Sequence, residues 1–166
     1  MIDFPSPSGL FVERGIAMMT REEIQSIRNS FRLLDGKTEV VAMLFYNRLF
    51  RLDPSLRMLF RGDLTEQGKK LMDAILVLNV SLDRFPTMRP TLQHMGKRYA
   101  KYGVRPQDYD TIASALLQTM EEFVGPRFNQ ALERIWTKLL SLVRGEILQG
   151  ATEAETAETV ALTVKA

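Results

Sequence analysis

An all-α fold is predicted by three observations. Apolar residues return with a helical period in almost every segment, helix caps and Gly or Pro stops recur at helix-length intervals, and no stretch shows sustained alternation or an Asn-Gly hairpin turn. The segments number about seven and differ in length, with one very short piece between two long ones. That pattern suits helices crossing at steep angles better than the equal hairpins of a four-helix bundle or the repeats of a solenoid.

The elements follow in order. Residues 1–19 hold two prolines and two glycines and read as an irregular arm. Thr20-Arg21-Glu22-Glu23 is a capping box opening a helix through Ile24, Ile27, Phe31 and Leu34, which Asp35-Gly36 ends. A second helix runs from about Lys37 to Leu52, with Val41, Leu44, Phe45 and Leu49 on its apolar side and Tyr46 beside them. Asp53-Pro54 then supplies an N-cap and a first-turn proline for a short helix from Ser55 to Phe60. From Leu64 to about Leu82 the period is helical again. Phe85-Pro86 and Arg89-Pro90 are expected to break the chain before a helix that begins near Thr91 and ends at Gly103. Two amphipathic helices, about Gln107 to Phe123 and Asn129 to Leu148, are divided by Gly125-Pro126. The acidic, weakly apolar stretch 151–166 is expected to form a flexible C-terminal tail.

Residues 20–150 therefore make one domain, large enough to bury about two-thirds of its unfolded surface. The absence of Cys excludes thiolate chemistry and disulfides, and a single His excludes a multi-histidine zinc site. The net charge of +2 and pI near 9.0 are spread among acids along every helix, so nucleic acid is not an expected partner. No window reaches about 18 apolar residues and no signal peptide opens the chain, which predicts a cytoplasmic protein with no membrane span. A homodimer is compatible with this reading.

The segment Thr91 to Gly103 carries the only histidine. On a helix, Leu92, Met95, Gly96, Tyr99 and Tyr102 share an apolar face, whereas His94, Lys97, Arg98 and Lys101 form a basic stripe. His94 and Tyr99 are five residues apart and point about 140° away from each other. A pocket backed by this helix would receive Tyr99, and His94 would stay in solvent.

Several stretches resemble the globin family, in particular single-domain bacterial globins related to flavohaemoglobins. They are Leu44 to Phe50, Asp53 to Phe60, Glu66 to Leu71, Gly96 to Val104, Tyr109, and Trp136-Thr137-Lys138, in that order. The resemblance implies a globin fold and a haem cofactor. It implies that Phe60 packs against the haem, that Tyr46 and Gln67 hydrogen-bond a bound ligand, and that Leu71 lies over the iron. Gln67 and Leu71, at i and i+4, share a helix face, as one pocket requires. Leu92, Met95, Gly96 and Tyr109 complete the expected cofactor environment, with Gly96 letting a flat macrocycle approach.

The chain departs from the family at the iron ligand. The proximal histidine's place, four residues before the glycine at position 103, is held by Tyr99, and bringing His94 there would need a five-residue gap. The place of the proximal glutamate of flavohaemoglobins falls on Ala151. The expected function is a haem-binding, globin-like protein with Tyr99 as axial ligand, or His94 through a distorted helix, binding a small diatomic or anionic ligand in gas or redox sensing. The alternative is a haem-free globin fold serving as an interaction or sensor module, its slot filled by side chains of a core rich in the nine methionines. Catalysis is not the expected main role, with a peroxidase-like or dioxygenase side activity if haem is bound.

Overall fold

The computed structural model describes residues 19–164, with side chains to Ala157. Six α-helices and three short 3-10 segments make up the described fold, and none of the described residues forms a strand. The helices are α1 (Arg21–Arg32), α2 (Thr38–Leu52), α3 (Leu64–Ser81), α4 (Phe85–Lys101), α5 (Pro106–Val124) and α6 (Gln130–Val164). The expected arm, apart from Met19, lies outside the described residues; Met19 itself is buried.

The local signals act as their chemistry requires. Thr20 Oγ1 accepts from the Glu23 N–H at 3.2 Å while Glu23 Oε2 accepts from the Thr20 N–H at 2.8 Å. Glu23 also takes both hydrogen bonds of Lys138 at 3.0 Å, tying the start of α1 to α6. Asp53 accepts from the Ser55 N–H at 2.9 Å and opens the 3-10 segment Pro54–Leu59. Asp63 caps α3 in the same way through the Thr65 N–H. Around these, Trp136 is the largest fully buried side chain; its indole N–H donates to Ser30 Oγ at 3.1 Å, and Phe31 meets its ring edge-on.

Two expected breaks are absent. Pro86 and Pro90 both lie within α4 rather than ahead of it. A first-turn proline gives up an N–H that would be unpartnered anyway, and Pro90 removes one further bond near the helix start. Phe85, Met88 and Leu92, at i, i+3 and i+7, are all buried, and that apolar stripe carries the helix across Pro90. The segment after Gly150, expected as a flexible tail, is helical to Val164. Its first turns rest on α4: Lys97 pairs with Glu153 at 3.2 Å, and Ala151 is half-buried there. Alanine, the best helix former, supplies local propensity that its weak hydrophobicity conceals.

α4 packs most extensively on α6 and only lightly on α3. The reason is reciprocal glycines. A Cβ on Gly96 would stand 1.9 Å from the Ile147 carbonyl oxygen, and one on Gly150 would stand 2.0 Å from that of Gln93. The two backbones touch, and Glu146 secures the seam by accepting from the Gln93 amide and pairing with Arg89, both at 3.0 Å.

Candidate functional site

The site begins with Tyr46, one of five buried residues on α2. Its ring meets Phe45 and Phe60 edge-on, at 5.0 and 5.4 Å, and stacks on Phe50 at 5.8 Å. Phe60, half-buried at the end of the 3-10 segment, also meets Phe50, so α2 and the 3-10 segment close one aromatic corner. The Tyr46 hydroxyl donates to the Gln67 carbonyl at 3.3 Å, and burial, with Tyr99 nearby, pushes its pKa up to about 12. α2 and α3 cross closest at Gly68, where a Cβ would stand 2.9 Å from the Ala42 methyl.

α3 itself is unusual for an apolar helix. Gly68 is its only buried residue, while Leu71, Ile75 and Leu78, which share one face, are half-buried. That face is packed against the core but only partly covered, and Ile75 lines a cavity of about 360 Å³ that α3 shares with Phe31 and Leu34 of the α1 end.

Across from it stands α4. Leu92 is buried, Met95 and Tyr99 are half-buried, and His94 is exposed on the other side. Tyr99 lies within electrostatic reach of both Tyr46 and Tyr109. Tyr109 on α5 is 8% exposed, yet its hydroxyl is buried without a hydrogen-bond partner. Burial first, then Tyr99 and Asp108, pushes its pKa up to about 12. Tyr99 thus stands within electrostatic range of the two buried phenols, one on α2 and one on α5. Among the described residues no cluster of His, Cys, Asp and Glu could hold a metal ion.

Two expected roles change. Gly96 turns to α6, so its lack of a side chain serves the seam and not the approach of a macrocycle. It lies about 60° around the helix from Tyr99, which separates the two faces. Tyr102, expected on the apolar face, caps the helix end and is 66% exposed. The Gln67 side chain donates to the Arg61 carbonyl at 3.3 Å, so its amide is held at the corner before α3. Leu71, Phe60 and Met95 are half-buried apolar residues packed against the core.

The fit to a haem rests on the orphaned Tyr109 hydroxyl and the half-buried apolar face of α3. A buried polar group without a partner is costly, and a flat apolar group bearing a polar centre would answer both conditions. An anionic oxygen donor from Tyr99 is an iron ligand of recognised type.

Sequence reasoning passed over one cluster beside the site. Asp108, 1% exposed, accepts from the Arg105 backbone N–H at 2.7 Å and from its guanidinium at 2.7 Å, and Arg105 reaches Asp53 at 3.9 Å. Burial raises the Asp108 pKa, but the hydrogen bonds and charge of Arg105 outweigh it and hold the carboxyl below its ordinary range. The signal was present: an acid three residues after the residue preceding a helix is half of a capping box.

Comparison with known proteins gives a consistent result. The family model described as Globin matches residues 43–147. A globin-like protein of Aquifex aeolicus is 31% identical over 110 residues, covering 66% of this chain and 78% of that one. A flavohemoprotein of Vibrio cholerae is 24% identical over 123 residues, covering 72% of this chain but 31% of the relative, so the chain spans about a third of that protein. An engineered carbene transferase from a Rhodothermus marinus nitric oxide dioxygenase shares the fold, with a TM-score of 0.75 at 20% identity, covering 85% of this chain and 99% of that one. No described helix is long and apolar enough to cross a membrane.

Proposed function

The chain belongs to the globin family, whose members bind haem and interact with gases, and from that premise we propose that it is a haem-binding gas or redox sensor with Tyr99 as its axial ligand. The observation that carries the reading is that Tyr99 lies within electrostatic range of the buried Tyr46 and Tyr109, with the Tyr109 hydroxyl unpartnered and His94 exposed. Phe60, Leu71, Met95 and Leu92 would hold the haem by apolar contact. Bound there, the iron would favour the ferric state, because a phenolate is a hard anionic donor, and this suits anionic ligands or redox-linked sensing more than reversible oxygen carriage.

The chain's own groups then divide the work. Tyr99 would hold the metal through its phenolate oxygen. Tyr109, whose buried hydroxyl has no partner, would be the donor that stabilises that phenolate. Tyr46, bonded to the Gln67 carbonyl, would be the donor to a bound ligand. Leu71 and Phe60 would exclude water. A dioxygenase or peroxidase-like side activity would be secondary, supported by the flavohemoprotein relative. A cytoplasmic location and a homodimer remain part of this proposal.

One observation favours a second reading, a haem-free interaction or sensor module: Tyr46 is bonded to the Gln67 carbonyl, and Gln67 to the Arg61 carbonyl, so both distal donors are already satisfied within the fold. An absorption spectrum of protein purified from haem-supplemented cells separates the two. A ferric Soret band with a phenolate charge-transfer band, lost in Tyr99→Phe, supports the first reading. A colourless protein that takes up no added haem supports the second.

A further inference from the structure

A groove of about 380 Å³ runs between α2 and α3. Ala42, Met43, Tyr46, Phe50, Leu64 and Gly68 make the larger, apolar part of its lining. Glu39, Asn47, Arg57 and Thr65 line the rest. The guanidinium of Arg57 is engaged over the Phe50 ring, 5.1 Å from its centroid. A single acid and a single base leave the rim without net charge, so it offers no particular attraction to ions.

Tyr46 joins this groove to the slot. Its ring lines the groove, and its hydroxyl reaches the Gln67 carbonyl and lies within electrostatic range of Tyr99. Beside it the floor is made by the two smallest side chains available, Gly68 against Ala42. The other approach, past Gln67, is closed at the corner by the bond of its amide to the Arg61 carbonyl. A diatomic gas occupies about the volume of a water molecule, roughly 30 Å³, and carries no group that an apolar wall would repel.

We propose that the groove between α2 and α3 is the entry vestibule for small apolar gas molecules, with the Tyr46 ring as the partition between vestibule and slot. The role as a route to iron rests on the haem reading above, whereas the collection of gas in the groove does not. Movement of one ring joins the two spaces, because the stacked Phe50 and the edge-on Phe60 leave the hydroxyl's 3.3 Å bond as its only polar tether.

Two measurements test this separately. In the haem-free chain labelled at methionine methyls, dissolved O₂ is paramagnetic and relaxes the methyls it collects around. Met43 is 58% exposed and lines the groove, while Met58, 69% exposed, does not. Severalfold greater O₂-induced relaxation at Met43 than at Met58 is expected, and equal relaxation overturns the vestibule. In the haem-loaded chain reduced to the ferrous state with dithionite, Thr65→Trp at the groove should slow carbon monoxide association and dissociation severalfold by the same factor, leaving affinity unchanged, as a blocked path requires. Unchanged rates in Thr65→Trp with acceleration in Gln67→Leu overturn the route. If the chain takes up no haem, the haem reading fails and the methyl measurement alone decides whether the groove collects gas.

Discussion

Along α4, the side that meets α6 brings backbone against backbone at Gly96 and Gly150, whereas the side that turns to α3 leaves Met95 and Tyr99 half-buried beside a helix whose apolar face is only partly covered. The first side is held by close packing, the Gln93 and Arg89 contacts to Glu146, and the pairing of Lys97 with Glu153. The second meets α3 only lightly. One helix is therefore clamped along one edge while its other edge, which carries Tyr99, is packed more loosely.

The largest effect is expected where the clamp is tightest. Gly96→Ala places a methyl 1.9 Å from the Ile147 carbonyl oxygen, where backbone and not a flexible side-chain tip must yield, and should cost about 3 kcal/mol in urea unfolding. A cost near zero would mean the seam is loose and the contrast false.

On the looser side, Tyr99→Phe should leave the fold intact while removing haem or its phenolate charge-transfer band. An unchanged spectrum and haem affinity would contradict the ligand role.

The raised phenols predict a stability loss in alkali. For a group whose folded pKa is raised, stability is fully present below the unfolded pKa of about 10 and is lost as pH rises through the folded value. Tyr46 and Tyr109, both pushed up to about 12, place that loss in the window from 10 to about 12. Phenolate absorbance of the folded, haem-free chain, compared with its Tyr46→Phe and Tyr109→Phe variants, should show both phenols staying protonated until the pH approaches 12. If either variant removed an ionisation near pH 10 instead, the site would be wetter than its burial indicates.

A smaller effect of opposite sign is expected next door. Tyr109→Phe removes a buried hydroxyl without a partner, and should stabilise the haem-free chain by about 1 kcal/mol. In the haem-loaded chain the same change should alter the charge-transfer band by removing a donor from the phenolate. Destabilisation of the haem-free chain would show that the hydroxyl has a partner. Last, His94→Ala should change neither stability nor any haem spectrum, because the side chain is exposed. Loss of the Soret band in that variant would overturn the register at Tyr99.

What the sequence by itself determined was everything written in local periodicity and capping: the helices, the box at Thr20, the stop at Gly103, and the separation of His94 from Tyr99 by helix geometry. The candidate residues Tyr46, Phe60, Leu71 and Tyr99 were named through the globin resemblance, which rests on the order and spacing of short stretches along the chain. Tertiary structure decided which neighbour each face meets. Gly96 and Tyr99 share an apolar face in the sequence, yet 60° of rotation gives one to α6 and the other to the slot. Pro90 lies inside a helix because burial of Phe85, Met88 and Leu92 outweighs one lost hydrogen bond, and the chain beyond Gly150 stays helical where α4 supports its first turns. The Gln67 amide turns to the Arg61 carbonyl, and Asp108 is buried only because Arg105 folds over it. Each of these depends on contacts between elements that a helical period does not encode: the period orders the faces of a helix, and only packing supplies what stands opposite.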